Sequence, residues 1–173
     1  MNLGPNSFRN VPDWPRPGIQ FKDIGPLLRD PLLLSEAAAR LIEAARGLGE
    51  DPDFVVAPEA RGFLFGPGLS VALGAGFIPA RKPEKLPPET RSIAYELEYG
   101  HDHLHIPDTD LAGATVLIHD DLLATGGTAA ALAELVRSAG AEPVGAVFLS
   151  ELTELGGRAA LGDLPVRSVV PFD

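Results

Sequence analysis

One stretch constrains this chain more than any other: Val116-Leu117-Ile118-His119-Asp120-Asp121-Leu122-Leu123-Ala124-Thr125-Gly126-Gly127-Thr128. Residues 116–118 are apolar and rich in β-branched side chains, which suits a strand buried on both faces in a parallel sheet. Asp120 and Asp121 follow where that strand is expected to end. Ala124-Thr125-Gly126-Gly127-Thr128 then makes a loop of small residues, opening into a helical pattern at residues 129–139. Glycines let backbone N–H groups approach a ligand closely, and a helix N-terminus favours an anion. One turn therefore offers a phosphate cradle preceded by two carboxylates.

Those carboxylates would repel a phosphate, so they need another partner. Vicinal hydroxyls suit them, because a carboxylate only accepts hydrogen bonds. A ribose 5-phosphate meets both demands, with its phosphate in the loop and its hydroxyls on Asp120 and Asp121. A polar turn with a capping threonine would explain the glycines alone. It leaves the order of strand, acids and loop unexplained.

The flanking sequence supplies the sheet. Asp30 and Pro31 start a helix as cap and first residue, and residues 33, 34, 37, 38, 41, 42 and 45 form its apolar stripe. Buried-type strands are expected at residues 54–57, 77–80, 144–149 and 166–170. A helix at residues 62–73, with Pro67 as an irregularity, ends at Gly74. Residues 93–97 and 104–106 read as paired strands around Gly100, and residues 12–17, rich in proline, as an irregular arm. Residues 82–89 hold three prolines and no apolar periodicity, so they read as a mobile loop. Strand–helix alternation implies a parallel α/β sheet that binds its ligand at the carboxyl edge.

With 173 residues, 45% of them hydrophobic, one domain with a full core is expected over residues 1–173. The chain has no cysteine, no membrane-length apolar run and no signal-like start, and a cytoplasmic setting without membrane association is expected. A net charge of −10 argues against nucleic acid as a partner. An acidic protein that binds a polyphosphate must gather its cations locally, and Arg61, Arg81, Lys82 and Lys85 form the obvious cluster.

Other residues read two ways. Glu59-Ala60-Arg61-Gly62 is a second strand-to-helix turn, either ordinary or a second anion site. Phe21 is a core anchor or a stacking ring, and Leu97-Glu98-Tyr99-Gly100 a hairpin end or a substrate cover. His119 reads as a core histidine; His101, His103 and His105 alternate on one face and read as solvated rather than zinc-binding.

The run from Asp120 to Thr128 resembles the binding motif for 5-phosphoribosyl 1-pyrophosphate (PRPP) of the type I phosphoribosyltransferases, in the form of their adenine-specific branch. Pro12-Asp13-Trp14-Pro15-Arg16-Pro17-Gly18-Ile19-Gln20-Phe21-Lys22-Asp23-Ile24, Glu59-Ala60-Arg61-Gly62-Phe63-Leu64-Phe65-Gly66-Pro67 and the 97–100 stretch agree in order and spacing. The resemblance covers residues 8–170. It implies a central parallel sheet flanked by helices, with a small N-terminal hood and a flexible antiparallel flap. It implies transfer of the phosphoribosyl group of PRPP to adenine, giving AMP and pyrophosphate in purine salvage. Hypoxanthine, guanine or xanthine is the alternative acceptor. A PRPP-sensing regulator would need a DNA-binding domain for which neither length nor charge provides.

The resemblance also assigns roles. Asp120, Asp121, Ala124, Thr125, Gly126, Gly127 and Thr128 hold the ribose and its phosphate, and Arg61, Arg81, Lys82 and Lys85 the pyrophosphate. Glu98 and Arg61 are catalytic, Glu98 as the acid on the purine, and Tyr99 closes the flap. Phe21 stacks on the base, Leu122 and Leu152 add apolar contacts, and Gln20 and Lys22 flank it, partly through the main chain. Mg²⁺ rides on substrate oxygens rather than in an all-protein cage. A cis peptide between Glu59 and Ala60 and a homodimer are implied as well. Ala57, Lys22 and His119 depart from the usual glycine, arginine and aliphatic residue.

Overall fold

A computed structural model describes residues 2–97, 100–108 and 111–173. The chain enters through a 3-10 turn (Pro5–Ser7) and an antiparallel ribbon, β1 (Arg9–Pro12) with β2 (Gln20–Asp23). Next come α1 (Gly25–Arg29), α2 (Pro31–Arg46), β3 (Phe54–Pro58), a 3-10 turn (Arg61–Leu64), α3 (Gly66–Leu73) and β4 (Gly76–Ala80). A second antiparallel hairpin follows, β5 (Thr90–Leu97) with β6 (Gly100–Pro107). The chain finishes with β7 (Thr115–Leu123), α4 (Gly127–Ser138), β8 (Glu142–Leu152), 3-10 turns at Thr153–Leu155 and Gly157–Leu161, and β9 (Val166–Phe172).

Five strands form one parallel sheet in the order β4-β3-β7-β8-β9. From β3 the chain crosses to β4 on one side; from β7 it crosses to β8 on the other. The loops leaving β3 and β7 therefore diverge, and the crevice between them is the switch point at which open α/β sheets bind ligands. The strands alternate their packing. Val116, Ile118, Ala146 and Phe148 face α4 through Leu132, Leu135 and Val136. Leu117, Val147 and Leu149 face α2 and α3 through Leu33, Leu41 and Leu69. Truncating one of these fully buried leucines, such as Leu41→Ala, costs about 2–5 kcal/mol.

Local signals set the helix ends. Asp30 accepts from Leu32 N at 2.9 Å and Leu33 N at 3.2 Å, with Pro31 as the first helical residue. The stripe of α2 buries Leu33, Ala37, Leu41 and Ala45. Gly74 ends α3 in the left-handed region, φ 72°.

Several boundaries differ from the sequence expectation. β7 does not stop at residue 118 but runs to Leu123, so Asp120 and Asp121 lie within the strand. The expected helix at 62–73 is a 3-10 turn and then α3, with Pro67 comfortable in the first turn of α3. α4 begins at Gly127, inside the glycine pair. α1 and β1 carried no clear periodic signal.

The hairpin is also better anchored than its prolines imply. Leu104 and Ile106 are core residues, with Ile93 packed on them. Arg81 and His105 exchange backbone hydrogen bonds at 2.8 Å, joining β6 to the end of β4. Residues 82–89 are held by hydrogen bonds rather than core packing, with Lys82 N on Glu59, Arg81 Nη1 on the Lys85 carbonyl and Asp108 N on the Glu89 carbonyl, so mobility over the whole 82–100 span is not expected from this packing. Glu98 and Tyr99, and the side chain of His101, lie outside the described residues.

Candidate active site

At the switch point, the carboxyl ends of β3 and β7 present two turns to one crevice. After β7, Gly126 takes φ 84° and α4 starts at once. No side chain caps this helix, and no acid stands in its first turn. Its first N–H groups therefore point, without an internal competitor, at any anion in the cleft. That cleft, about 150 Å³, is walled by Arg61, Asp120, Leu122 and the loop containing Ala124, Thr125, Gly126, Gly127 and Thr128. A larger open hollow of about 380 Å³ lies between α2 and β9, lined by Arg40, Glu43 and Arg167 among others. It shares no residue with the glycine loop, and the convergence of donors and acids favours the smaller cleft.

Across the crevice, the turn after β3 carries the cis peptide Glu59–Ala60, as the resemblance implies. Gly62 lets this turn settle onto β7: a Cβ there would meet Pro58 Cδ at 2.7 Å and Asp120 Oδ1 at 3.3 Å. Gly62 and Gly66 leave room for Ala57: a Cβ at either position would stand 3.1 Å from the Ala57 Cβ. Arg61 Nε then reaches Asp121 Oδ2 at 3.3 Å, and its guanidinium lies 5.2 Å from the Phe21 ring centre. Trp14 meets the same ring edge-on at 4.4 Å. The hood is thus joined to the sheet through Phe21 and Arg61.

Burial, and then the charge of Asp121, pushes the Asp120 carboxyl well above the usual carboxylate range. Burial also raises Asp121, opposed by the Arg61 charge. Arg61 sits beside Asp121, so Asp121 is the ionised partner and Asp120 the one that keeps its proton longer. Asp121 Oδ2 and Arg61 Nη1 are buried and make no hydrogen bond among the described residues. Such unpaired buried atoms are uncommon, and His119 Nε2 in the core is another among the described residues.

The remaining cations are arranged differently from the sequence expectation. Arg81 Nε is bound to Glu59 Oε2 at 2.7 Å and its Nη1 to the Lys85 carbonyl at 2.9 Å, so it braces the loop rather than facing the cleft alone. Lys82 N also donates to Glu59 Oε1, at 3.0 Å. Burial works to raise Glu59, but the Arg81 and Lys82 hydrogen bonds and nearby charges outweigh it and hold its pKa low. Lys85 is exposed on the same loop.

The base-site side chains divide as well. Phe21 faces Arg61, whereas Gln20 and Lys22 both engage Asn10, Gln20 Oε1 at 2.7 Å and Lys22 Nζ at 3.2 Å. Strand alternation accounts for this: residues 20 and 22 share the face opposite residue 21. Lys22 Nζ also lies 4.9 Å from the Phe172 ring centre. The side chains of Gln20 and Lys22 are thus engaged with Asn10, on the face opposite Phe21. Leu122 is half-buried in the cleft wall, and Leu152 ends β8 beside Phe172.

His119 is fully buried, with Nδ1 3.0 Å from the Val147 carbonyl. Burial drives its pKa down to about 4 against that hydrogen bond, so it is a neutral core histidine. Among the described residues no three His, Asp or Glu side chains converge to cage a metal.

A parallel sheet whose switch point holds a helix N-terminus, an acid pair and an arginine defines a protein that handles a phosphorylated pentose. The comparisons make this specific. The family model for the phosphoribosyl transferase domain matches residues 27–154. The adenine phosphoribosyltransferase of Sorangium cellulosum is 53% identical over 95% of this chain and 84% of its own. The crystal structure of the Thermoanaerobacter pseudethanolicus enzyme of that name superposes with a TM-score of 0.92 at 48% identity, covering 96% of each chain. The Saccharomyces cerevisiae enzyme, complexed with an imino-altritol bisphosphate and adenine, gives 0.87 at 40% identity over 95% and 94%. The chain belongs to the phosphoribosyl transferase domain family, among its adenine phosphoribosyltransferases.

Proposed function

We propose that this chain, acting as one unit over residues 1–173, transfers the 5-phosphoribosyl group of PRPP to adenine, giving AMP and pyrophosphate. The observation that carries the reading is the pairing, in one crevice, of an uncapped α4 N-terminus with Asp120, Asp121 and Arg61. The first turn of α4 holds the 5-phosphate, aided by the Thr125 and Thr128 hydroxyls. Asp120 and Asp121 accept hydrogen bonds from the ribose hydroxyls and hold the ring in register with the base. Arg61, with the loop carrying Lys82 and Lys85, faces the pyrophosphate, while Arg81 keeps that loop in place through Glu59.

Breaking the anomeric C–O bond develops positive charge on the sugar. The carboxylates lie in a sheltered crevice, where fixed charge stabilises such a change most effectively. Phe21 supplies the stacking face for adenine, flanked by Leu122 and Leu152, and the main chain of residues 20–22 reads its edge. Glu98 assists the purine's proton transfer and Tyr99 covers the site. The hard oxygens of Asp120 and Asp121 suit a divalent cation carried in on the substrate. When bound, Mg²⁺ neutralises charge on the departing pyrophosphate.

A homodimer belongs to the same proposal. Leu64 (49% exposed), Pro67, Gly68 and Val71 (83% exposed) lie three and four residues apart along one surface. Such an apolar stripe fits a second copy of the chain. Phe65 and Ile78 contribute nothing to it, since both are core residues. A cytoplasmic setting is also proposed; no helix among the described residues is long and apolar enough to cross a membrane. The test of the activity is AMP formation from PRPP, Mg²⁺ and adenine by the purified chain. Absence of AMP, with the protein folded, contradicts the reading.

A further inference from the structure

The carboxyl end of β8 holds two polar side chains that the chemistry above does not use. Ser150 Oγ donates to the Asp121 carbonyl at 2.9 Å, fixing the backbone of the acid pair from behind. Glu151, only 4% exposed, accepts a fork from Arg158, with Nε and Nη2 each at 2.7 Å, and a further hydrogen bond from the Ser168 hydroxyl. Arg158 Nη1 also reaches the Val166 carbonyl at 3.2 Å. Residue 158 is thereby fastened to both β8 and β9. The Arg158 fork holds the Glu151 carboxyl below its ordinary pKa, against the effect of burial, so the pair stays ionised at neutral pH.

The residue before Arg158 touches the glycine loop. A Cβ on Gly157 would stand 2.2 Å from the Ala124 carbonyl oxygen, and a Cβ on Gly126 would stand 2.2 Å from the Gly157 carbonyl oxygen. The two backbones are in direct contact, with no side chain between them to absorb a shift. Gly126 also takes φ 84°, which only glycine adopts freely. The loop from Ala124 to Gly126 has little packing of its own, since Thr125 is exposed and Ala124 half-buried. Its height above the sheet is set by the segment beneath it.

We infer that Glu151 and Arg158 are positioning residues for the phosphate loop, acting through Gly157 to aim the first N–H groups of α4 at the 5-phosphate. The inference rests on the proposed phosphoribosyl transfer. A planar guanidinium fork fixes direction as well as distance, and an ammonium does not reproduce it. Binding groups displaced by an ångström lose much of their effect.

The test uses Glu151→Gln and Arg158→Lys in the full chain. Arg158 is half exposed, so its lysine variant is expected to fold. Steady-state kinetics are run against PRPP with Mg²⁺ and against adenine, with ribose 5-phosphate and pyrophosphate binding measured separately. The expected result is a KM for PRPP raised about tenfold or more, an unchanged KM for adenine, and a loss of affinity for ribose 5-phosphate that exceeds the loss for pyrophosphate. A fall in Tm with both KM values unchanged, or an equal rise in both, overturns the inference. An unmodified chain that makes no AMP overturns the proposed function instead, and the ribose 5-phosphate arm still reads the loop.

Discussion

Arg61 and Asp121 hold one another across the switch-point crevice, with Nε 3.3 Å from Oδ2, while Arg61 Nη1 and Asp121 Oδ2 make no hydrogen bond among the described residues. Among the described residues, Arg61 is the cation whose charge offsets the acid pair, and it also lies over Phe21. Arg61→Ala leaves the pair without its counter-charge and, in the proposed reaction, the pyrophosphate without an arginine partner. A fall in kcat/KM of about a hundredfold or more is expected, and Arg61→Lys restores only part of it, having no fork. Near-normal rates for Arg61→Ala remove it from the reaction.

Asp120→Asn trades activity for stability. The folded pKa of Asp120 lies above its unfolded value of about 3.8, so the folded state binds more protons and stability falls as pH rises from there through the raised pKa. The amide escapes this cost, and the variant should melt at a higher temperature than wild type at pH 7. Its kcat/KM for PRPP should drop about 10- to 100-fold through lost charged hydrogen bonds. Calorimetry beside PRPP kinetics checks both; a lower Tm or unchanged kinetics contradicts the account.

His119 sets an acid limit on stability. Its pKa is about 4 in the fold against 6.5 unfolded, so between those values the unfolded chain binds the extra proton. Stability is full above pH 6.5 and falls toward pH 4, by about 1.4 kcal/mol per pH unit at most. Below that, carboxylates held low, such as Glu151, lose their own contribution. His119→Leu should flatten the loss between pH 6.5 and 4 in urea titrations. An identical slope in the variant rules His119 out as its source.

Loop ordering is narrower than proline content implies. PRPP with Mg²⁺ should slow amide hydrogen exchange at residues 82–89, while Leu104 and Ile106 are protected with or without ligand because both are buried. Equal protection of residues 82–89 in both states removes closure from the mechanism.

How much of this was legible in the sequence differs from residue to residue. The strand at 116–118, the Asp30 cap and the glycine loop announce themselves through local chemistry, and all three stand in the fold. The extension of β7 to Leu123 was hidden because Asp120 and Asp121 look like loop residues; they are tolerated in a strand because Arg61 and a ligand-facing edge receive them. The alternation that sets Gln20 and Lys22 on the face opposite Phe21 follows from the period of two along the strand from Gln20 to Asp23. The clamp of Glu151, Arg158 and Ser168 had no signal, because its members meet only when β8, β9 and the turn between them have packed. The Arg81–Glu59 ion pair likewise had no local signal, because its members lie after different strands.

The central claim is phosphoribosyl transfer to adenine in particular. The direct measurement is an internal competition: PRPP, Mg²⁺ and equal amounts of adenine, hypoxanthine and guanine, with the nucleotide products separated as they form. The account predicts AMP as the dominant product from the first turnovers, released with one pyrophosphate each. IMP or GMP formed as fast as AMP would contradict it.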